Sequence, residues 1–240
     1  RKKINQTEFE SIFHFIDMAI KGLKLIPYSY LTYKLVKTED EQIQANARKS
    51  LTGVMKVTLF KSFDSSIYTF RKRIEKYESY LSNFENLFFE HKKIVKPSII
   101  QKAMVRHQDE PDEDVMDLIL EEITSFEERE RNRKTQNSSY KVQNAYVEIM
   151  HTEYAIDNIK AFIGQDRSII GLIKSVLSEI KTDTKLDKLK KLMCELKGRK
   201  ILIFSYFATT IDYLKNNIDK TFLSESQLII SKAKFLSFQP

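Results

Sequence analysis

The chain has 240 residues, 42% hydrophobic and 30% charged, enough for one large folded domain or two small ones and too apolar for a disordered tract. No apolar run approaches the ~20 residues that span a bilayer, no signal-peptide core follows the basic start Arg1-Lys2-Lys3, and the single Cys194 excludes an internal disulfide, so a cytoplasmic protein with no membrane partner is expected. An excess of 40 Lys and Arg over 33 Asp and Glu permits nucleic-acid binding without requiring it.

Only five glycines and four prolines punctuate the chain, which argues for long helices. Residues 7–24 read as an amphipathic helix, with Phe9, Ile12, Phe13, Ile16, Ile20 and Leu23 at three- and four-residue spacing. Pro27 interrupts it. The tyrosines that follow (Tyr28, Tyr30 and Tyr33) suit either packing with wetted hydroxyls or stacking on bases. A second helix is predicted over 40–60. Ile67, Phe70, Ile74, Tyr77, Leu81, Phe84 and Phe88 then alternate steps of three and four, a seam of the kind found in helical hairpins and coiled coils. Asp64 or Ser65 is positioned to cap its start.

Pro97 and Pro111 mark breaks, and 106–114 reads as a loop. Residues 115–134 read as a helix graded from acidic to basic, an order that suits the helix dipole. Asn137-Ser138-Ser139 reads as a linker. A long helix is predicted over 140–163, ended by Gly164, with further helices over 169–180 and 186–196. The texture changes at Gly198. Ile201-Leu202-Ile203-Phe204 is a short apolar run typical of a buried parallel strand. A helix over 211–218 and a second strand at Leu228-Ile229-Ile230 make the opening of an α/β sheet.

Charge is unevenly placed. Residues 48–76 hold eight bases (Arg48, Lys49, Lys56, Lys61, Arg71, Lys72, Arg73 and Lys76) against two acids, and residues 109–122 hold eight acids and no base. The basic stretch is either a phosphate-facing surface or a solvated helix face. Within it Lys61, Lys72 and Lys76 are the candidate contacts, because Lys72 and Lys76 lie four apart on one helix face, whereas Arg71 and Arg73 point apart. Several chemistries are missing from the sequence. There is no Gly-x-x-x-x-Gly-Lys-Ser/Thr phosphate loop, and His14, His91, His107, His151 and Cys194 lack metal-ligand spacing. The acidic run Asp109–Asp114 lacks the glycine of a calcium loop. No catalytic residue, cofactor or metal is therefore expected in the chain itself.

Two segments carry a resemblance. Asp183-Thr184-Lys185-Leu186-Asp187-Lys188-Leu189, then Lys200-Ile201-Leu202-Ile203-Phe204-Ser205-Tyr206-Phe207, then Thr209-Thr210-Ile211-Asp212-Tyr213-Leu214 resemble the opening of the second RecA-like lobe of superfamily-two helicases and translocases of the Swi/Snf-like kind. The stretch Gly53 to Ser66, continuing through Tyr68, Phe70 and Arg71, resembles the "leucine-leucine-lysine-arginine-leucine-glutamate-serine-serine" helix between the lobes of large bacterial and archaeal relatives. Here Ser62 stands for the arginine, Phe63 for the leucine after it and Asp64 for the glutamate. Residues 26–33 are similar to the segment before that helix.

The resemblance implies a mainly α fold: a long-helix bundle or hairpin insertion over residues 1–180, then a partial RecA-like α/β element over 181–240. It implies an internal piece of a DNA helicase. The Walker motifs would lie before Arg1 and the arginine finger beyond Pro240. It implies a join between segments near Lys232. ATP and Mg would be bound by the larger protein and not by this piece. The implied partners are DNA, held through its backbone, and the first RecA-like lobe of the same chain. Ser205, Tyr206 and Thr209, in the loop after the first strand, are implied to lie near the nucleic-acid backbone, where hydroxyls and helix amides suit phosphate. Ser205 and Thr209 equally suit a helix cap. A helical coiled-coil adaptor with no motor role is the alternative function.

Overall fold

Helices carry most of the chain in a computed structural model that describes residues 6–109, 115–180, 183–196, 199, 201–218 and 228–232. The elements are α1 (Gln6–Gly22), α2 (Ile26–Ser29), α3 (Glu39–Ser65), α4 (Ile67–Glu85), β1 (Lys93–Val95), α5 (Pro97–Asp109), α6 (Val115–Gln136), β2 (Tyr146–Glu148), α7 (Ile156–Glu179), α8 (Thr184–Glu195), β3 (Ile201–Ser205), α9 (Ala208–Asn217) and β4 (Leu228–Lys232). The fold is mainly α, as the scarcity of breakers predicts. Two compact units form: unit 1 from Arg1–Leu23, Lys56–Glu75 and Ile169–Pro240, and unit 2 from Lys24–Met55 and Lys76–Ser168.

In unit 1 an aromatic cluster fixes the helices. Phe13 meets Phe60 edge-on at 5.1 Å between ring centroids, and Phe63 meets Phe70 at 5.2 Å, spacings at which offset and edge-on rings attract. The α4 seam contributes Phe70 and Ile74, both fully buried. The start of α4 is capped by Ser66, whose Oγ accepts from the Tyr68 amide at 3.2 Å. Ser65 and Asp64 instead belong to α3. The C-terminal part of the unit is a parallel β3–α9–β4 arrangement, with Ile201 opposite Leu228 and Ser205 opposite Lys232. Ile201 and Ile203 face a small core of Leu186, Met193, Leu214 and Ile218. Leu202 and Phe204 point the other way and are 55% and 59% exposed. Parallel strands normally have both faces covered; among the described residues no layer lies over Leu202 and Phe204.

Unit 2 is built around tyrosines. Tyr28 and Tyr30 are buried, which favours packing over base stacking for both. Tyr30 packs on Phe84, Phe88 and Tyr154, and the Arg48 guanidinium lies 4.6 Å over its ring. Arg48 is only 3% exposed, so the basic stretch begins with a core residue. Burial holds the hydroxyls of Tyr77, Tyr80 and Tyr154 well above the usual tyrosine range. Asp166, with no exposed surface, accepts from the Lys24 amide at 2.6 Å, the Leu25 amide at 2.9 Å and the Tyr77 hydroxyl at 2.6 Å. It thereby holds the turn into α2, where Leu25 adopts a left-handed φ of 53°. Desolvation raises its pKa, and these hydrogen bonds pull it back. A reciprocal pair opens α3. The Glu41 amide donates to Thr38 Oγ1 at 3.3 Å, and the Thr38 amide donates to Glu41 Oε2 at 3.0 Å, a capping box.

The segment 140–163 departs from the helix its pattern predicts. Tyr140 OH and the Gln143 amide donate to the buried carboxylate of Glu130. Residues 146–148 then pair antiparallel with β1, Tyr146 opposite Val95. Helix starts only at Ile156 and passes through Gly164 to Glu179, because Ile159, Ile163, Ile170, Ile173 and Leu177 continue one buried face. Helix α5 likewise runs through Asp109 where a loop is predicted. Pro111 with the acidic run Glu110–Asp114, Gly198, and the end Phe238-Gln239-Pro240 lie outside the described residues. Among the described residues no helix is long and apolar enough to cross a membrane.

Candidate nucleic-acid interface

The candidates from the lobe-like loop sit where β3 turns into α9. Ser205 ends the strand and accepts from the Phe207 amide through Oγ at 3.3 Å. Phe207 is the residue before α9 and supplies no side-chain cap. Ser205 therefore shapes the turn, and neither Ser205 nor Thr209 caps the helix by a side-chain bond. Tyr206 is half-buried, and that burial raises its pKa. Thr209 is half-buried in the first turn of α9. The loop contains no glycine, and the Phe207 amide is taken by Ser205, so the turn offers no cradle for a triphosphate.

The basic candidates separate. The Lys61 ammonium lies 5.7 Å from the Tyr206 ring centre, which brings a sequence-predicted lysine and a resemblance-implied tyrosine together. Lys72 lies 6.0 Å from the Tyr68 ring centre and also pairs with Glu75 at 3.2 Å. Both are in unit 1. Lys76 is in unit 2, where its ammonium meets Asp117 of α6 at 2.5 Å. Exposed pairs of this kind contribute little and are screened by salt, so an anion can compete for the Lys72 and Lys76 heads. The arginines between them diverge as their spacing requires. Arg71 donates to the Leu177 carbonyl at 3.0 Å, and Arg73 lies 4.8 Å over the Phe207 ring.

Three features of this surface had no signal in the linear sequence. Thr210 Oγ1 is 2.7 Å from Thr69 Oγ1 and 3.0 Å from Ser65 Oγ, a chain of hydroxyls between segments more than a hundred residues apart. The ring of Tyr68 is stacked on Tyr213 at 4.8 Å and 16°, and Tyr68 remains 39% exposed. Asp183 holds two partners: Oδ1 accepts from the Leu186 amide as the N-cap of α8, and Oδ2 accepts from the Tyr213 hydroxyl, each at 2.9 Å. Burial, then Asp183, push the Tyr213 pKa up to about 12. Between these residues lies a cleft of about 210 Å3 whose walls include Ser65, Ser66, Lys185, Phe204, Ser205 and Tyr213. Lys185 at its rim pairs with Asp64 at 3.5 Å. Only the alternation at β3 pointed toward it, because a period of two places Phe204 on the face opposite Ile203.

Unit 2 has a larger cavity, about 780 Å3, beside the π-helical turn Asn86–Glu90, with Glu85, Glu90, His151 and Lys160 in its wall. His151 Nε2 is 2.7 Å from the Phe88 carbonyl. Glu85 is paired with Arg167. Carboxylates in that wall disfavour phosphate. Among the described residues, no group of three His, Cys, Asp or Glu is arranged to hold a metal ion. Comparison of the chain with protein-family models, with curated proteins and with solved structures finds no match.

Proposed function

We propose that the chain is the helical insertion, residues 1–180, and the opening of the second RecA-like lobe, residues 181–240, of a superfamily-two DNA helicase or translocase of the Swi/Snf-like kind. In that reading it contacts nucleic-acid backbone without reading sequence. The observation that carries it is the parallel β3–α9–β4 unit with Ser205, Tyr206 and Lys61 gathered at the end of its first strand. The exposure of Leu202 and Phe204 among the described residues supports it too, since an α/β sheet completed by further strands and helices would cover them.

ATP would be bound by the larger protein, where it drives the motion of one lobe against the other. This chain has no phosphate loop and its strand-to-helix turn has no cradle, so no hydrolytic step is assigned to its residues. Their part is positional: ammonium groups neutralise phosphates, and hydroxyls donate to phosphate oxygens. Composition of this kind gives non-specific affinities of about 10⁻⁴–10⁻⁶ M at physiological salt.

Titration of a labelled duplex at two salt concentrations tests the reading. Binding should weaken as salt rises, and Lys61→Glu/Lys72→Glu should weaken it further and flatten the salt dependence. Duplex binding that ignores both salt and the double substitution contradicts it.

A further inference from the structure

The cavity of unit 2, about 780 Å3, falls within the ~300–1,000 Å3 of pockets for small organic ligands and takes no part in the proposed nucleic-acid contact. One wall is the π-helical turn Asn86–Glu90, closed by the His91 amide on the Asn86 carbonyl at 3.2 Å. Single π turns in helices recur at functional sites. This one buries Phe88 fully and leaves Phe89 half-buried in the cavity wall. Helix α7 supplies Ile156 and Lys160, four apart and so on one helix face. Among the charges in the wall only Glu85 is neutralised, by Arg167. Among the described residues the side chains of Glu90 and Asn86 make no ion pair or hydrogen bond. The Lys160 ammonium lies 5.4 Å from the Phe89 ring centre and pairs with no carboxylate. His151 is stacked on Phe88 at 5.5 Å and 16°, and its Nε2 is 2.7 Å from the Phe88 carbonyl. A carbonyl only accepts, so Nε2 carries the proton and Nδ1 of the neutral ring keeps a lone pair for a donor.

Glu90 and Lys160 therefore present opposite charges in one cavity without meeting. A ligand with only positive charge would be opposed by Lys160, and one with only negative charge by Glu85 and Glu90. A ligand carrying both charges satisfies both. We infer that this cavity binds a zwitterion with an apolar body, an α-amino acid or a short peptide, its ammonium held by Glu90 and His151 Nδ1, its carboxylate by Lys160 and the Asn86 amide, and its side chain against Phe89 and Ile156. The site lies within unit 2 and does not depend on the nucleic-acid contacts of unit 1.

The test is calorimetric titration of the full chain with L-phenylalanine, with the tripeptide Ala-Phe-Ala, with N-acetylphenylalanine amide and with spermidine. At least one of the two zwitterions should bind, and the tighter of them tells a free amino acid from a peptide. The amide has the same ring and neither charge, and should bind about 10-fold more weakly or worse, the scale of one charge-assisted hydrogen bond. Glu90→Gln and Lys160→Met should each weaken the zwitterion by about the same factor. Both side chains are on exposed residues, so both variants should melt like wild type, which separates lost binding from lost folding. Failure of both zwitterions to bind, an amide that binds as tightly as they do, or either variant binding like wild type overturns the inference. Spermidine binding more tightly than either zwitterion overturns it in favour of a polycation.

Discussion

Units 1 and 2 both place tyrosines beside charged side chains, yet the two arrangements do opposite work. In unit 2, Asp166 and Arg48 are sealed among Tyr28, Tyr30 and Tyr77, and Asp166 spends its oxygens on two amides and a hydroxyl. Burying a charge costs free energy unless hydrogen bonds compensate, so such a site is fully committed to holding the fold. In unit 1, Lys61 and Lys72 lie over rings that remain partly accessible, and Lys72 and Lys185 pair with exposed carboxylates. The same residue types are structural where solvent is excluded and available to a ligand where it is not.

The sharpest way to break this comparison is Asp166→Ala. It strands the Lys24 and Leu25 amides and the Tyr77 hydroxyl, and should cost about 3–5 kcal/mol in a denaturant titration. A loss below about 1 kcal/mol would mean that the turn into α2 is held by other contacts. In the core of unit 1, Phe70→Ala or Ile74→Ala should cost ~2–5 kcal/mol. Unchanged melting of both would show that the α4 seam is not core.

A smaller effect, confined to acid, is expected at Glu130. The Gln143 amide, then Tyr140 and Arg133, hold its carboxyl below the usual glutamate range. A depressed folded pKa gives stability that is fully present above the unfolded value, near 4.5, and is lost as pH falls through the folded value. The stability difference between wild type and Glu130→Gln should therefore be constant near neutral pH and shrink below about 4.5. A difference that grows on acidification contradicts the assignment. The smallest effect belongs to Tyr68→Ala. It should change stability by no more than about 1 kcal/mol, the worth of one ring pair. A loss comparable to that of Phe70→Ala would move Tyr68 from the accessible surface to the core.

Local patterns in the sequence identified most helices and the strand–helix–strand order. The α4 seam is buried from Phe70 to Phe88 as its period demands, and β3 and β4 run where the apolar runs are. Long-range competition misled the reading of 140–163. Nothing local shows that Glu130 will draw in the Gln143 amide, or that residues 146–148 will pair with 93–95. Gly164 was misleading for a related reason: a glycine ends a helix only where the chain must leave it, and the buried isoleucine face continues past it. At the candidate site, Lys61 and Tyr206 were each visible in the sequence, but their meeting was not. The Tyr68–Tyr213 stack and the Thr210 hydroxyl chain join segments that share no pattern.

Amide hydrogen exchange across the whole chain, with and without a DNA duplex, tests the division of labour most directly. Added duplex should slow exchange over residues 61–73 and 205–213 of unit 1 and leave Lys24–Met55 and Lys76–Ser168 unchanged. Protection concentrated in unit 2, around Tyr28, Tyr30 and the cavity beside Asn86–Glu90, would contradict it.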